Sequence, residues 1–218
     1  MKTDLIEKYA PILCGATPPV VRDPRLLMDA SGDVKIYYAP FEYINPSARI
    51  VLVGITPGPT QMVNANNEAR RALQAGKSST EAIQAAKSVG AFSGEPLRSN
   101  LINQLNHWGF HKWLGLTDSA DLFSNSRHLV QTTSLLRYPV FVKDDDYRGS
   151  PDMTKHPLLR KYLLENFAGG RGAKGCRVRR ARAAGPEGAG PSDPGTGPES
   201  RTGDWRHAAP IRQLHLPD

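Results

Sequence analysis

The most constraining stretch is the aliphatic run Ile50-Val51-Leu52-Val53, which stops abruptly at Gly54-Ile55-Thr56-Pro57-Gly58-Pro59-Thr60. Four β-branched or aliphatic residues without polar alternation predict a strand buried on both faces. Such strands are usually parallel and covered by helices. Two glycines open turn conformations to the backbone, and the prolines stiffen what lies between. Ligands of open α/β sheets sit beyond the carboxyl ends of the strands, so this loop is the first candidate site.

Helical and extended patterns surround that strand. Thr3 caps a predicted helix whose Leu5, Ile6 and Tyr9 share a face, with Pro11 and Gly15 ending it. Pro18-Pro19 and Asp23-Pro24 predict an extended loop. Val34 to Tyr43 reads as a strand broken at Pro40. Its Tyr37, Tyr38, Phe41 and Tyr43 either pack beneath the sheet or line a base-sized pocket. Helices are predicted over 64–75 and, from the capping box Ser78 to Glu81, through about Ser88. Arg70, Arg71, Lys77 and Lys87 on them read as a solvated face, with contact to a phosphate backbone as the alternative. After Pro96, residues Leu97, Leu101, Ile102, Leu105 and Trp108 recur at helical spacing and are expected in the core, with Gly109 as the stop. Leu129 to Leu136 reads as a second central strand, and Pro157 to Phe167 as a last helix. The fold class expected is α/β: a three-layer α/β/α sandwich with a central, mostly parallel sheet.

The segment Val53-Gly54-Ile55-Thr56-Pro57-Gly58 resembles the first motif of the uracil-DNA glycosylase superfamily. That motif reads Gly-Ile-Asn-Pro-Gly in the mismatch-specific branch and Gly-Glu-Ala-Pro-Gly in the iron–sulfur branch. Thr133-Ser134-Leu135-Leu136-Arg137-Tyr138-Pro139 is similar to the family's later strand-end segment, Thr-Asn-x-x-Lys-x-x-Pro. The resemblance implies a base-excision reaction, in which a nucleotide is flipped from DNA and water cleaves its N-glycosidic bond. It makes Thr56 the counterpart of the residue that holds the attacking water, and Gly54, Ile55, Pro57, Gly58, Pro59 and Thr60 the substrate loop. Ser134 matches the asparagine that reads the base edge. Arg137 matches a lysine and is expected at a phosphate, and Tyr138 stacks or packs. Threonine cannot act as a base near neutral pH, and serine lacks the paired donor and acceptor of an amide, so reduced activity is expected.

Charge and cysteines narrow the classes. Lys and Arg number 28 against 21 Asp and Glu, a net charge of +7, which favours a polyanionic partner, here DNA. Cys14 and Cys176 are the two cysteines, too few for a four-cysteine iron–sulfur cluster. No cofactor and no metal are expected. His107, His111 and His128 lack metal-ligand spacing, and Asp144-Asp145-Asp146 reads as a solvated loop. No signal peptide or bilayer-spanning run is evident, so a monomeric cytoplasmic protein is the expectation.

The composition changes at Ala168. Residues 1–168 are read as the glycosylase-like domain, incomplete at its C-terminal end, and 169–218 as a Gly/Pro/Arg-rich tail. That tail is either a disordered basic arm or an out-of-frame translation of GC-rich DNA. In the second case Pro210-Ile211-Arg212-Gln213, encoded CCC-ATC-CGT-CAG, hides CAT-CCG-TCA. Those codons spell His-Pro-Ser, the family's C-terminal catalytic motif. In frame, that motif's histidine has no counterpart, since His207 and His215 sit in other contexts. Three outcomes stay open: a glycosylase-like enzyme with impaired activity, a non-catalytic member binding DNA or another anion through the Gly54–Thr60 loop, and a chain that does not fold stably.

Overall fold

A computed structural model describes residues 3–168. The tail, with Cys176, His207 and His215, lies outside the described residues. The first helix, α1 (Asp4–Leu13), buries Ile6, Tyr9 and Leu13 on one stripe. Pro11 lies inside this helix and does not end it. The buried Leu13 beyond it holds the last turn despite the backbone hydrogen bond that proline removes. The C-terminal carbonyls find a partner in Arg70, whose Nη1 donates to Leu13 O (2.9 Å) and Gly15 O (2.7 Å). Arg70 is therefore no part of a solvated face.

β1 (Leu27–Ser31) and β2 (Val34–Tyr37) form a hairpin closed by Gly32-Asp33, with Gly32 at φ +57°. β3 (Ile50–Gly54) is the central strand expected. α2 (Pro59–Gln74) starts directly from the loop, with Gly58 as its N-cap. It begins five residues before the predicted start, because Pro59 suits a first helical turn, where its missing N–H costs nothing. α3 (Ser79–Gly90) opens on the capping box: Glu81 N donates to Ser78 Oγ (3.3 Å) and Ser78 N donates to Glu81 Oε2 (2.9 Å). α4 (Leu97–His107) and α5 (Phe110–Leu114) lead through a 3₁₀ turn, Ser119–Phe123, to β4 (Val130–Ser134). β5 (Val140–Val142) and β6 (Asp145–Asp146) form a second hairpin around Lys143-Asp144, both at positive φ, so the aspartate run is a turn and strand. α6 (Pro157–Leu163) continues into a π-helical turn, Leu164–Ala168.

The chain is α/β, and the described residues do not show the mostly parallel sheet expected. Among the described residues β1-β2-β5-β6 form an antiparallel sheet, and β3 and β4 form a separate parallel pair. Short two-residue turns after β1 and β5 permit only antiparallel neighbours, whereas the long connection between β3 and β4 carries the chain back in parallel. The core falls into two clusters. One joins α1, β2, α2, α3, β5 and α6; the other joins Leu52 and Val130 to Leu105, Leu114, Leu122 and Phe123. Only Leu52 of β3 is fully buried, and Val53 is 47% exposed, so β3 is not covered on both faces by described residues. α4 fully buries Leu105 alone; Leu101 and Ile102 are partly buried against the same cluster, and Leu97 and Trp108 are exposed, contrary to the expectation that all five lie in the core. No helix among the described residues is long and apolar enough to cross a membrane.

Candidate functional site

The register of the parallel pair decides the site. Ile50 lies opposite Val130, and Gly54 opposite Ser134. The two segments singled out in the sequence, 73 positions or more apart by their numbering (Thr60 to Thr133), therefore end side by side on one rim. Beyond the strands they stay zipped: Leu135 N donates to Gly54 O and Leu136 N to Ile55 O, both at 2.9 Å. Gly54 sits at a close approach. A β-carbon there would sit 3.3 Å from Ser134 Oγ and 3.5 Å from the Phe92 ring.

Thr56 is held in the same seam. Its Oγ1 donates to Tyr138 O (3.0 Å) and accepts from Val140 N (3.2 Å). The hydroxyl proton is thus spent, and one lone pair remains to accept from a water. Ile55 is 45% exposed on the rim. Gly58 has open space around it, while Thr60, in the first turn of α2, packs on Gly94. Pro57, Ser134 and Arg137 line a cleft with Phe41, Phe92 and Lys87. Its free volume, about 10 Å³, suffices for roughly one water, so a base needs Phe92 or its neighbours to move. Arg137 Nη2 donates to Asn166 O (2.7 Å), which ties this cation to the last turn. Tyr138 packs and does not offer a stacking face to solvent: it is buried between Tyr38 and Tyr162, with its hydroxyl on Glu42 Oε1 at 3.1 Å. Of the four aromatics of the Val34–Tyr43 segment, Phe41 reaches this cleft. Tyr37 packs edge-on to Phe141, and Tyr38 stacks on Tyr9 at 4.3 Å.

Two charged residues here were not anticipated. Lys87 is buried rather than solvated, and its Nζ donates to Tyr43 O. Burial, then repulsion from Arg137, pulls its amine down to about 7, against the opposing pull of Glu42. Glu42 is equally buried and is pushed up to about 7 by burial, opposed by its own backbone N–H, Tyr138, Arg137 and Lys87. Its Oε2 has no partner among the described residues. Burial also raises the Tyr138 phenol, and Glu42 adds to the shift. The signal for Lys87 was present: it falls in phase with Ala82, Ile83, Ala86 and Gly90 on the buried stripe of α3. Glu42 sits in a run of aromatics, where only the fold could tell core from surface. No group of three His, Cys, Asp or Glu among the described residues is placed to share a metal.

The uncharacterized protein YoxB of Bacillus subtilis is 37% identical to this chain over 137 residues, 62% of the chain and 53% of that protein. The match thus spans about half the length of that curated relative. No family model matches, and no solved structure matches.

Proposed function

We propose that this chain is a uracil-DNA glycosylase-like protein that hydrolyses the N-glycosidic bond of a base flipped out of DNA, acting as a cytoplasmic monomer without a cofactor. The observation that carries this is the β3–β4 register, which sets the Gly54–Thr60 loop beside Ser134–Tyr138 on one rim. In this scheme β3 and β4 are the centre of a three-layer α/β/α sheet. A water accepted by the free lone pair of Thr56 attacks C1′, the C1′–N bond breaks, and the base leaves as a stabilised anion that then takes a proton. Lys87, Arg137 and the N-terminus of α2 make the cleft electropositive, which suits both phosphate and a departing anion. Phe41 and Phe92 are the aromatic walls on which a base would stack.

The second reading, a non-catalytic DNA or anion binder, is favoured by the small volume of the cleft and by the engaged proton of Thr56, which is not among the residues lining that cleft. Incubation with a uracil-containing oligonucleotide, followed by alkali, separates the two. Slow strand cleavage that falls by about 10- to 100-fold in Thr56→Ala supports the enzyme. Retention of the oligonucleotide without any cleavage supports the binder, and neither retention nor cleavage sinks both.

A further inference from the structure

Beyond Lys87, away from the rim, lies a second and larger cavity of about 400 Å³. The segment Tyr43–Ser47, the end of α3 and the turn before β4 line it. Asn45 pins two of these walls together: its Nδ2 donates to His128 O and Val130 O, both at 2.9 Å, while its N–H donates to Gln131 Oε1 at 2.7 Å. Lys87, Arg127 and His128 line the cavity, and none of its described lining residues is a carboxylate. Arg127 commits Nε to Phe123 O (2.9 Å), and its two terminal nitrogens have no partner among the described residues. Lys87 Nζ has one protein acceptor, Tyr43 O, for its three possible donors. Phe123, Val130 and Tyr43 supply apolar and aromatic wall.

Lys87 is a buried amine with no carboxylate bonded to it among the described residues, a costly arrangement, and the planar guanidinium of the exposed Arg127 lining the same cavity matches phosphate geometry. The volume falls within the range that holds drug-sized ligands and is too small for a duplex. We propose that this cavity binds a nucleoside monophosphate, its phosphate taken by Arg127 and Lys87 and its nucleoside lying against Phe123 and Tyr43. The site does not rest on the glycosylase reading, because it needs neither Thr56 nor Ser134.

Calorimetric titration of the full chain with AMP, GMP, CMP and UMP, with the matching nucleosides and with a single-stranded hexanucleotide tests this. At least one monophosphate should bind, and its nucleoside should bind about 10- to 100-fold more weakly, the worth of a charge-assisted hydrogen bond. Arg127→Gln, at an exposed position that should leave the melting temperature unchanged, should lose the same factor. Absence of binding by all four monophosphates overturns the proposal. So does equal binding of nucleotide and nucleoside, or an unaltered affinity in Arg127→Gln. A hexanucleotide that binds more tightly than every monophosphate, through Arg127, overturns the single-nucleotide assignment in favour of a strand.

Discussion

Lys87 and Glu42 dominate the residue scale because each is an ionisable group sealed from water, with the cations outnumbering the acid once Arg137 is included. Glu42 titrates near 4.5 unfolded and about 7 folded, so the stability it contributes is present below pH 4.5 and lost as pH rises through 7. Lys87 titrates near 10.5 unfolded and about 7 folded, so its contribution is present above pH 10.5 and lost as pH falls through 7. The two slopes oppose, and thermal melting between pH 5 and 9 should show a shallow minimum near neutrality, each limb about 1 kcal/mol per pH unit. Lys87→Met should flatten the alkaline limb and Glu42→Gln the acid limb; a monotonic profile in the wild type would refute both assignments. Thr56 admits a separate test of its structural share. Thr56→Val keeps the shape and strands Val140 N and Tyr138 O, which should cost about 1–3 kcal/mol in denaturant unfolding, whereas Thr56→Ser should cost under about 1. Equal stabilities for the two variants would mean that the seam does not depend on this hydroxyl. The place of Thr56 on the rim was legible in the Gly-x-x-Pro-Gly spacing, but its hydrogen bonds were not, since they depend on a backbone more than 80 positions away.

At the scale of elements, the motif-bearing strand and both helices after it were legible, and the neighbours of that strand were not. β3 and α3 announce themselves locally, one by an aliphatic run and the other by its capping box. The β1–β2 hairpin was missed although Gly32-Asp33 is a good two-residue turn signal, because Leu27–Ser31 has neither alternation nor β-branching. The exposure of Leu97 and Trp108 was missed because helical spacing marks a stripe without saying what covers it. The α2–α3 contact shows what spacing can carry: the buried small residues Ala65, Ala69 and Ala72 face Ala82, Ala86 and Gly90. A β-carbon on Gly90 would meet Ala65 Cβ at 2.6 Å and Gln61 O at 2.9 Å, and neither atom is the end of a flexible chain. Gly90→Ala should therefore destabilise by about 1–3 kcal/mol, even though alanine favours helix by up to about 1. Ala65→Gly in the same chain should recover part of the loss, and a Gly90→Ala variant that melts higher than wild type would show that the helices are not in close contact.

For the whole molecule, the question is what makes two hydrophobic clusters behave as one. Among the described residues Phe92 is the side chain that packs against both, and its ring also lies beside Gly54 at the rim. The backbone accepts a cost to put it there: φ is +51°, a conformation worth about 1–3 kcal/mol of strain in a non-glycine residue. Three hydrogen bonds hold that turn, from Phe92 N to Gln61 Oε1 (2.9 Å) and from Arg98 to Phe92 O (3.1 Å) and Ala91 O (2.8 Å). The ring thus lines the cleft and bridges the two clusters at once, so displacing it is expected to loosen one cluster from the other. Scanning calorimetry should find a single wild-type transition whose van't Hoff and calorimetric enthalpies agree. Phe92→Ala should lower the melting temperature and make the van't Hoff enthalpy fall short of the calorimetric one, as the clusters begin to melt apart. Phe92→Gly removes the same ring and relieves the backbone, so it should be more stable than Phe92→Ala by about 1 kcal/mol. Coincident enthalpies in both variants would mean that the clusters are joined through the β3–β4 pair alone, and that Phe92 can leave the cleft without loosening the core.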